Sequence, residues 1–253
     1  INSLAAKTGA KILPVDSEHA AIFQLLKNSE REHVCEIILT ASGGAFRDIP
    51  LERLPLVSID DALHHPTWEM GKKITIDSAT MANKGLEVIE AVGLFGFSPD
   101  AIKVLIHPQS IVHSLIRTVD GALYTQISKP DMCLPIQNAL TYPDMKPVAS
   151  AWLDLDGVSM SFSVPSPKRY PLLYCGYEAA RLGKAYPIAF NAANEEAVRA
   201  FLQGELRFTE IASAVKETLE SAWDNLIVSF DQVYEADRLA RHKANLVISR
   251  KAK

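Results

Sequence analysis

The feature that most constrains this chain is a change of apolar period part-way along it. Up to about residue 141, short β-rich runs (KILPV, EIILTA, KITID, IKVLIH) alternate with amphipathic stretches such as HAAIFQLL and MANKGLEVIEAVGLF. That alternation predicts an α/β (α+β) domain built on a mixed sheet. A further run, ALYTQIS, reads as a strand closed by Lys129-Pro130. From Leu172 onward the apolar residues recur only at helical spacing, in PLLYCGYEAARLG, PIAFNAANEEAVRAFLQG and FTEIASAVKETLESAW, with Gly183 and Gly204 placed as helix stops. The last stretch, from Ser229, adds one more amphipathic helix with a basic tail, so an all-α C-terminal bundle is expected. Between the two regimes lies proline-rich sequence, YPDMKPV and VPSPKRYP, of low periodicity. The expected organisation is an α/β domain over residues 1–141, a connection over 142–168 and a helical domain over 169–253.

Composition narrows the function classes. With 253 residues, 48% hydrophobic and 22% charged, the chain suits one or two compact domains. A net charge of -4 without a long basic run leaves no electrostatic footprint for nucleic acid or a membrane surface. No apolar stretch reaches the roughly 18 residues of a membrane span. Cys35, Cys133 and Cys175 lie far apart with no CxxC spacing, which reads as reduced core thiols in a reducing compartment. The opening INSLAAKTGAKILPVD does not begin with Met and reads as the tail of a helix running into a strand, as expected for a piece of a longer protein.

Within KILPVDSEHAAIF, Asp16 and Glu18 are two residues apart. On an extended backbone both side chains leave the same face and can share one divalent cation. The same residues also read as a helix N-cap, Asp16-Ser17, with Glu18 in the first turn. Ser42-Gly43-Gly44 follows a predicted strand and leaves backbone N–H groups open to an anion, or simply supplies a turn. The densest group is HHPTWEMGKKITIDSATMANKGLEVIEA. A helix entered from Ser78 or Thr80 onward puts Ser78 and Asn83 near its N-terminal turns, with Lys84 adding a full charge toward a phosphate. Glu87, one turn beyond Asn83, projects to the same side as a third carboxylate, or forms a solvated i,i+3 pair with Lys84. His65 beside Trp68 and Met70, bracketed by Pro66 and Gly71, has the composition of a mobile lid. His107 and His113 flank a Pro-Gln-Ser turn; His107 reads as a core residue, and one of the two can face the same cleft. Met132, between two prolines, offers a rigid apolar surface to a flat ring.

Taken in order, PVDSEH, ASGGAFR, HHPTWEMGKKITIDSATMANKGLE, HPQSIVHS and PDM resemble the motif set of the 1-deoxy-D-xylulose 5-phosphate reductoisomerase family, and the later NAANEEAV is similar to its last domain. The resemblance implies an NADPH-dependent enzyme that isomerises and reduces that sugar phosphate in isoprenoid biosynthesis, with a catalytic domain in the first half of this chain. It implies Asp16, Glu18 and Glu87 as ligands of Mg²⁺ or Mn²⁺ and Ser17 on the substrate. Ser42, Ser78, Asn83 and Lys84 would hold the substrate phosphate. His65 and Trp68 would fall in the flexible lid, His113 would be a second substrate-contacting histidine, and Gly71 and Met132 would lie at the nicotinamide. Glu18, Glu87, His65 and His113 are then the residues closest to the chemistry. The resemblance also implies a homodimer in a bacterial cytoplasm or plastid stroma.

Three departures stand out. No GxGxxG dinucleotide turn occurs in the chain, Ala41 stands where the family motif has Gly, and Cys133 stands where an Arg follows PDM. Two other readings use the same residues or discard them: a metal-dependent sugar-phosphate isomerase or hydrolase without nicotinamide chemistry, and a non-catalytic dimerisation module.

Overall fold

The computed structural model describes residues 1–147 and 151–251. By its internal contacts the chain divides into two compact units that interleave in sequence, residues 1–42 with 90–164 and residues 43–89 with 165–253. No described helix is long and apolar enough to cross a membrane.

The first unit is built on a four-stranded mixed sheet in the order β2-β1-β3-β4. Its strands are β1 (Val34–Ala41), β2 (Ile102–Ile106), β3 (Val112–Thr118) and β4 (Leu123–Ile127). The central strand β1, VCEIILTA, is buried along nearly its whole length, which explains its continuous apolar run and its β-branched content. It pairs parallel with β2, Ile37 opposite Ile102, and antiparallel with β3, Ile37 opposite Ile116. Helix α2 (Ser17–Lys27) packs on β1, β3 and β4 through Ala20, Ala21 and Ile22. At the other edge, Ser163 pairs with Ile106 of β2 through two backbone hydrogen bonds of 2.8 and 3.0 Å. On the sheet surface Lys103 and Arg117 both reach Glu36, at 2.5 and 3.1 Å. Burial pushes the Glu36 carboxyl up, but hydrogen bonds from the two cations outweigh it and hold the group below the usual carboxylate range. A short helix α1 (Asn2–Thr8), closed by Gly9, and α6 (Cys133–Thr141) complete this unit.

The second unit is helical. It contains α3 (Ile59–Ala62), α4 (Lys72–Thr80), the first part of α5 (Ala82–Phe95), α7 (Pro171–Leu182), α8 (Tyr186–Leu202), α9 (Phe208–Leu219) and α10 (Phe230–Lys251). Helix α8 is its axis. Ala189, Ala192, Ala193, Ala197 and Ala200 are buried along it, and these small side chains let α4, α7, α9 and α10 all pack against it. Phe46 enters the same core and meets Phe208 edge-to-face with centroids 4.7 Å apart. The segment carrying Phe46 is tied down by Tyr170, whose hydroxyl donates to the Gly43 carbonyl at 2.9 Å, and by Arg169, which donates to the Phe46 carbonyl. Burial raises the Tyr170 hydroxyl to a pKa of about 12, so it stays a donor at any physiological pH.

A close approach of α5 and α7 is also needed. A methyl group on Gly176 would sit 2.5 Å from the Cα of Gly85, so glycine at both positions allows the two backbones to touch.

A mixed α/β region followed by a helical one is therefore the architecture, and the runs EIILTA, IKVLIH and ALYTQIS form strands as expected. Two expected strands do not form. KITID lies inside α4, where Thr75, Ile76, Asp77 and Ala79 are buried: helix packing against α7 and α8 overrides the β-branched preference. KILPV has no regular structure; Pro14 lacks a backbone donor, and Lys11, Ile12 and Val15 are exposed. The cysteines are free thiols, and of the three only Cys175 packs against the core. Cys35 and Cys133 are exposed and only Cys175 is partly buried: Cys35 is the one exposed residue of β1, where its pairing with β3 shifts register, and Cys133 opens α6.

Candidate functional site

In the first unit, Asp16 is not on an extended strand. It occupies the N-cap position of α2, with Ser17 and Glu18 in the first turn. The N-cap alternative therefore describes the backbone, although the Asp16 side chain makes no capping hydrogen bond. It turns instead to His19, 3.7 Å away, and His19 also lies 3.5 Å from Glu90. Asp16, His19 and Glu90 present ligand atoms all within 4.8 Å of one another. Two carboxylates and one imidazole make a donor set of the kind a hard divalent cation accepts, and the carboxylate charges have to outweigh the positive end of the α2 dipole.

Ser17 donates to the Glu18 carboxylate at 2.5 Å, and Ser114 of β3 donates to the Glu18 carbonyl at 3.0 Å. The start of α2 is thereby pinned to the sheet. Next to it, Ser17 and His113 line one open cavity of about 30 Å³, together with Gln126, Ser128, Asp131 and Pro135. His113 is buried, and Thr40 fixes its backbone by donating to the carbonyls of Val112 and His113 at 2.6 and 2.9 Å. His107 is the core residue expected, stacked on Phe162 at 4.7 Å with Nδ1 against the Ser161 carbonyl at 3.0 Å. Met132 takes the N-cap position of α6. Ser42 directly follows β1 and is half-buried.

In the second unit the chemistry gathers around the α4–α5 junction. Helix α4 ends at Met81, whose backbone is left-handed at φ 58°, and α5 begins at the next residue. The helix start thus falls after Ser78, not at it. Ser78 belongs to the last turn of α4, while Asn83 and Lys84 open α5. Asn83 Nδ2 donates to Glu87 Oε1 and Lys84 Nζ donates to Glu87 Oε2, both at 2.7 Å. The i,i+3 pair read from the sequence is present, but it is not solvated: Lys84 is 5% exposed and Glu87 2%. Burying a full charge pair costs several kcal/mol of desolvation per ion, so its position calls for a reason other than stability.

Gly44 packs on the same junction. Its φ is 68°, and a Cβ there would lie 2.5 Å from the Ala79 Cα and 2.6 Å from the Ser78 carbonyl. Glycine is required both for that conformation and for the contact.

His65 completes this group. Its Nδ1 accepts the backbone N–H groups of Thr67 and Trp68 at 3.1 and 2.8 Å, which leaves the ring proton on Nε2, 3.1 Å from Ser78 Oγ. Burial and the nearby Arg47 both lower the His65 pKa, favouring this neutral donor. Trp68 is half-buried, and Gly71 is the N-cap of α4.

Sequence reasoning overlooked His19, Glu90, Asp77 and Asn194. His19 was visible as the residue one turn after Asp16. Asn194 was visible as one of the polar residues interrupting the alanines of α8, and Asp77 was hidden by the expectation of a strand over KITID.

Two family models match the chain. The 1-deoxy-D-xylulose 5-phosphate reductoisomerase C-terminal domain covers residues 12–95, and the DXP reductoisomerase C-terminal domain covers 127–243. The 1-deoxy-D-xylulose 5-phosphate reductoisomerase of Treponema pallidum is 48% identical over 252 residues, which is 99% of this chain and 67% of that protein. That of Treponema denticola is 49% identical, over 94% of this chain and 62% of its own length. Among solved structures, a DOX-P reductoisomerase in complex with NADPH, fosmidomycin and magnesium superposes with a TM-score of 0.89 at 38% identity, covering 98% of this chain and 66% of that one. The reductoisomerase from Zymomonas mobilis in complex with NADPH gives 0.90 at 40% identity, covering 96% and 63%. The chain thus spans roughly two thirds of the length of these relatives.

Proposed function

Because the chain belongs to the 1-deoxy-D-xylulose 5-phosphate reductoisomerase family, we propose that it carries the substrate- and metal-binding residues of that NADPH-dependent enzyme. The reaction is isomerisation of 1-deoxy-D-xylulose 5-phosphate and reduction to 2-C-methyl-D-erythritol 4-phosphate. The observation that carries this reading is the Asn83–Lys84–Glu87 group at the start of α5, in which Lys84 and Glu87 are buried. A desolvated ammonium beside helix N–H groups suits a phosphoryl group, and a desolvated carboxylate suits a cation.

Ser78, Asn83 and Lys84, with Ser42, hold the substrate phosphoryl group. The Nε2 proton of neutral His65, aimed at Ser78 Oγ, orients that hydroxyl to donate onward, and the His65–Trp68 segment covers the substrate. Asp16, Glu18 and Glu87 are the metal ligands, and their carboxylate chemistry fits Mg²⁺ or Mn²⁺. When bound, the metal supplies Lewis-acid stabilisation of enediolate and carbonyl oxygen charge, and NADPH supplies the hydride. Ser17 and His113, which share a cavity, contact the substrate hydroxyls. Gly71 and Met132 lie against the nicotinamide. The functional division is a catalytic domain over residues 1–141, a connecting segment over 142–168 and a helical domain over 169–253. The assembly is a homodimer working in a bacterial cytoplasm or plastid stroma.

The test is calorimetry with Mn²⁺ and a phosphonate hydroxamate that mimics the substrate. The wild-type chain should bind both, with hydroxamate affinity dependent on Mn²⁺. Removing the Lys84 ammonium should weaken the phosphonate ligand by about a hundredfold, the loss of one charge-assisted contact. Affinity that survives both Lys84→Ala and metal chelation would sink the assignment. With no GxGxxG turn in these residues, the 253-residue chain by itself should give no measurable NADPH oxidation.

A further inference from the structure

Asp77 is 1% exposed and lies on α4, which packs against α8. Its Oδ1 accepts from Asn194 Nδ2 of α8 at 2.8 Å, and Lys73 Nζ is 2.5 Å from Oδ2. Burial pushes the Asp77 carboxyl above its usual range, with the Lys73 charge and the hydrogen bonds from Lys73 and Asn194 pulling it back. Asn194 is 0% exposed, and its own Oδ1 has no hydrogen-bond partner among the described residues. As a way of joining two helices this is expensive. An apolar pair of the same volume would leave no orphaned oxygen and no buried carboxylate.

What such a pair provides, and an apolar contact does not, is direction. Apolar side chains allow a helix to roll and slide against its neighbour at little cost, whereas a buried hydrogen bond fixes both rotation and register. The residue after Asp77 is Ser78. Beyond it, the chain passes through the left-handed Met81 into Asn83 and Lys84. Gly44 blocks movement from another side, through its contact with Ala79.

We infer that Asp77, held by Asn194, is a positioning residue that fixes the end of α4 so that Ser78, Asn83 and Lys84 converge on the substrate's phosphoryl group. This rests on the reading that those three side chains receive that group. A misplacement of about 1 Å at such a site is enough to cost on the order of a hundredfold in rate.

The test measures two ligands on the full chain, Mn²⁺ alone and the phosphonate hydroxamate with Mn²⁺. The variants are Asp77→Ala, Asn194→Leu, and the exchanged pair Asp77→Asn/Asn194→Asp, which restores a carboxylate–amide bond in reverse. Either single variant should weaken the phosphonate ligand about tenfold while Mn²⁺ affinity stays within about threefold, and the exchanged pair should regain most of the loss. If Mn²⁺ and phosphonate affinities fall together, or neither falls, the positioning role is refuted. Should Asn194→Leu not fold, Asp77→Ala and the exchanged pair still decide. Lys84→Ala is the control. If it weakens the phosphonate ligand and the Asp77 and Asn194 variants do not, only this inference fails; if it has no effect, the phosphate reading fails with it.

Discussion

The start of α2 in the first unit and the α4–α5 junction in the second hold their charged residues in opposite ways. At the start of α2, Asp16 is 41% exposed and faces a histidine across 3.7 Å. At the α4–α5 junction, Lys84 and Glu87 are buried and bonded at 2.7 Å, and Asp77 lies deeper still. An exposed carboxylate keeps its water until a ligand displaces it. A buried pair has already been stripped of water by folding, so little solvent reorganisation remains when a ligand arrives. The start of α2 therefore keeps its carboxylate loosely coupled to stability, and the α4–α5 junction couples its charges tightly.

The largest expected effect tests that contrast directly. Lys84→Met should lower unfolding free energy by about 3 kcal/mol, because Glu87 is left charged in a buried site. Asp16→Asn should change it by no more than about 0.5 kcal/mol. Urea titration of both variants measures the pair, and similar values would erase the distinction.

Gly44→Ala comes next, at roughly 2–3 kcal/mol, from a left-handed backbone and a contact of 2.5 Å with α4. It sharpens the contrast if phosphonate affinity falls with stability. A stable variant with full affinity would mean that the Gly44 turn yields easily.

Tyr170→Phe removes one buried donor to the Gly43 carbonyl and should cost about 1 kcal/mol by the same titration.

The smallest effect lies in the first unit. Glu36 has its folded pKa lowered, so its contribution is present above the ordinary carboxylate range and is lost as pH falls through the depressed value. The stability gap between wild type and Glu36→Gln should be under about 1 kcal/mol near neutrality and close toward strongly acid pH. A gap that widened on acidification would reverse the sign.

How much of this was legible in the sequence follows the same divide. The strands of the first unit were readable because β1 is buried on both faces and the local β preference agrees with the sheet. Helices α7, α8 and α9 were readable from their period and from Gly183. The misreadings fall where tertiary packing overrules local preference. KKITIDSAT carries β-branched residues that favour a strand, yet it closes as a helix because α7 and α8 present a surface for one. The left-handed Met81 gave no warning, since a methionine is not a turn residue. It moved Ser78 from the start of one helix to the end of another. Asn83, Lys84 and Glu87 were grouped correctly because a helix fixes i,i+3 and i,i+4 neighbours whatever surrounds it. Their burial was not readable, because that depends on helices far away in the chain.

The crossing of Gly85 and Gly176 can be seen as a joint without a shim. Most helix pairs are separated by side chains that compress, rotate or change rotamer, so a substitution on one helix is absorbed before it reaches the other. Here Gly85 and Gly176 put backbone on backbone, and Lys84 immediately precedes the contact point. An added methyl at position 176 has nowhere to go except into a displacement of α5, and the first polar group displaced would be the buried ammonium.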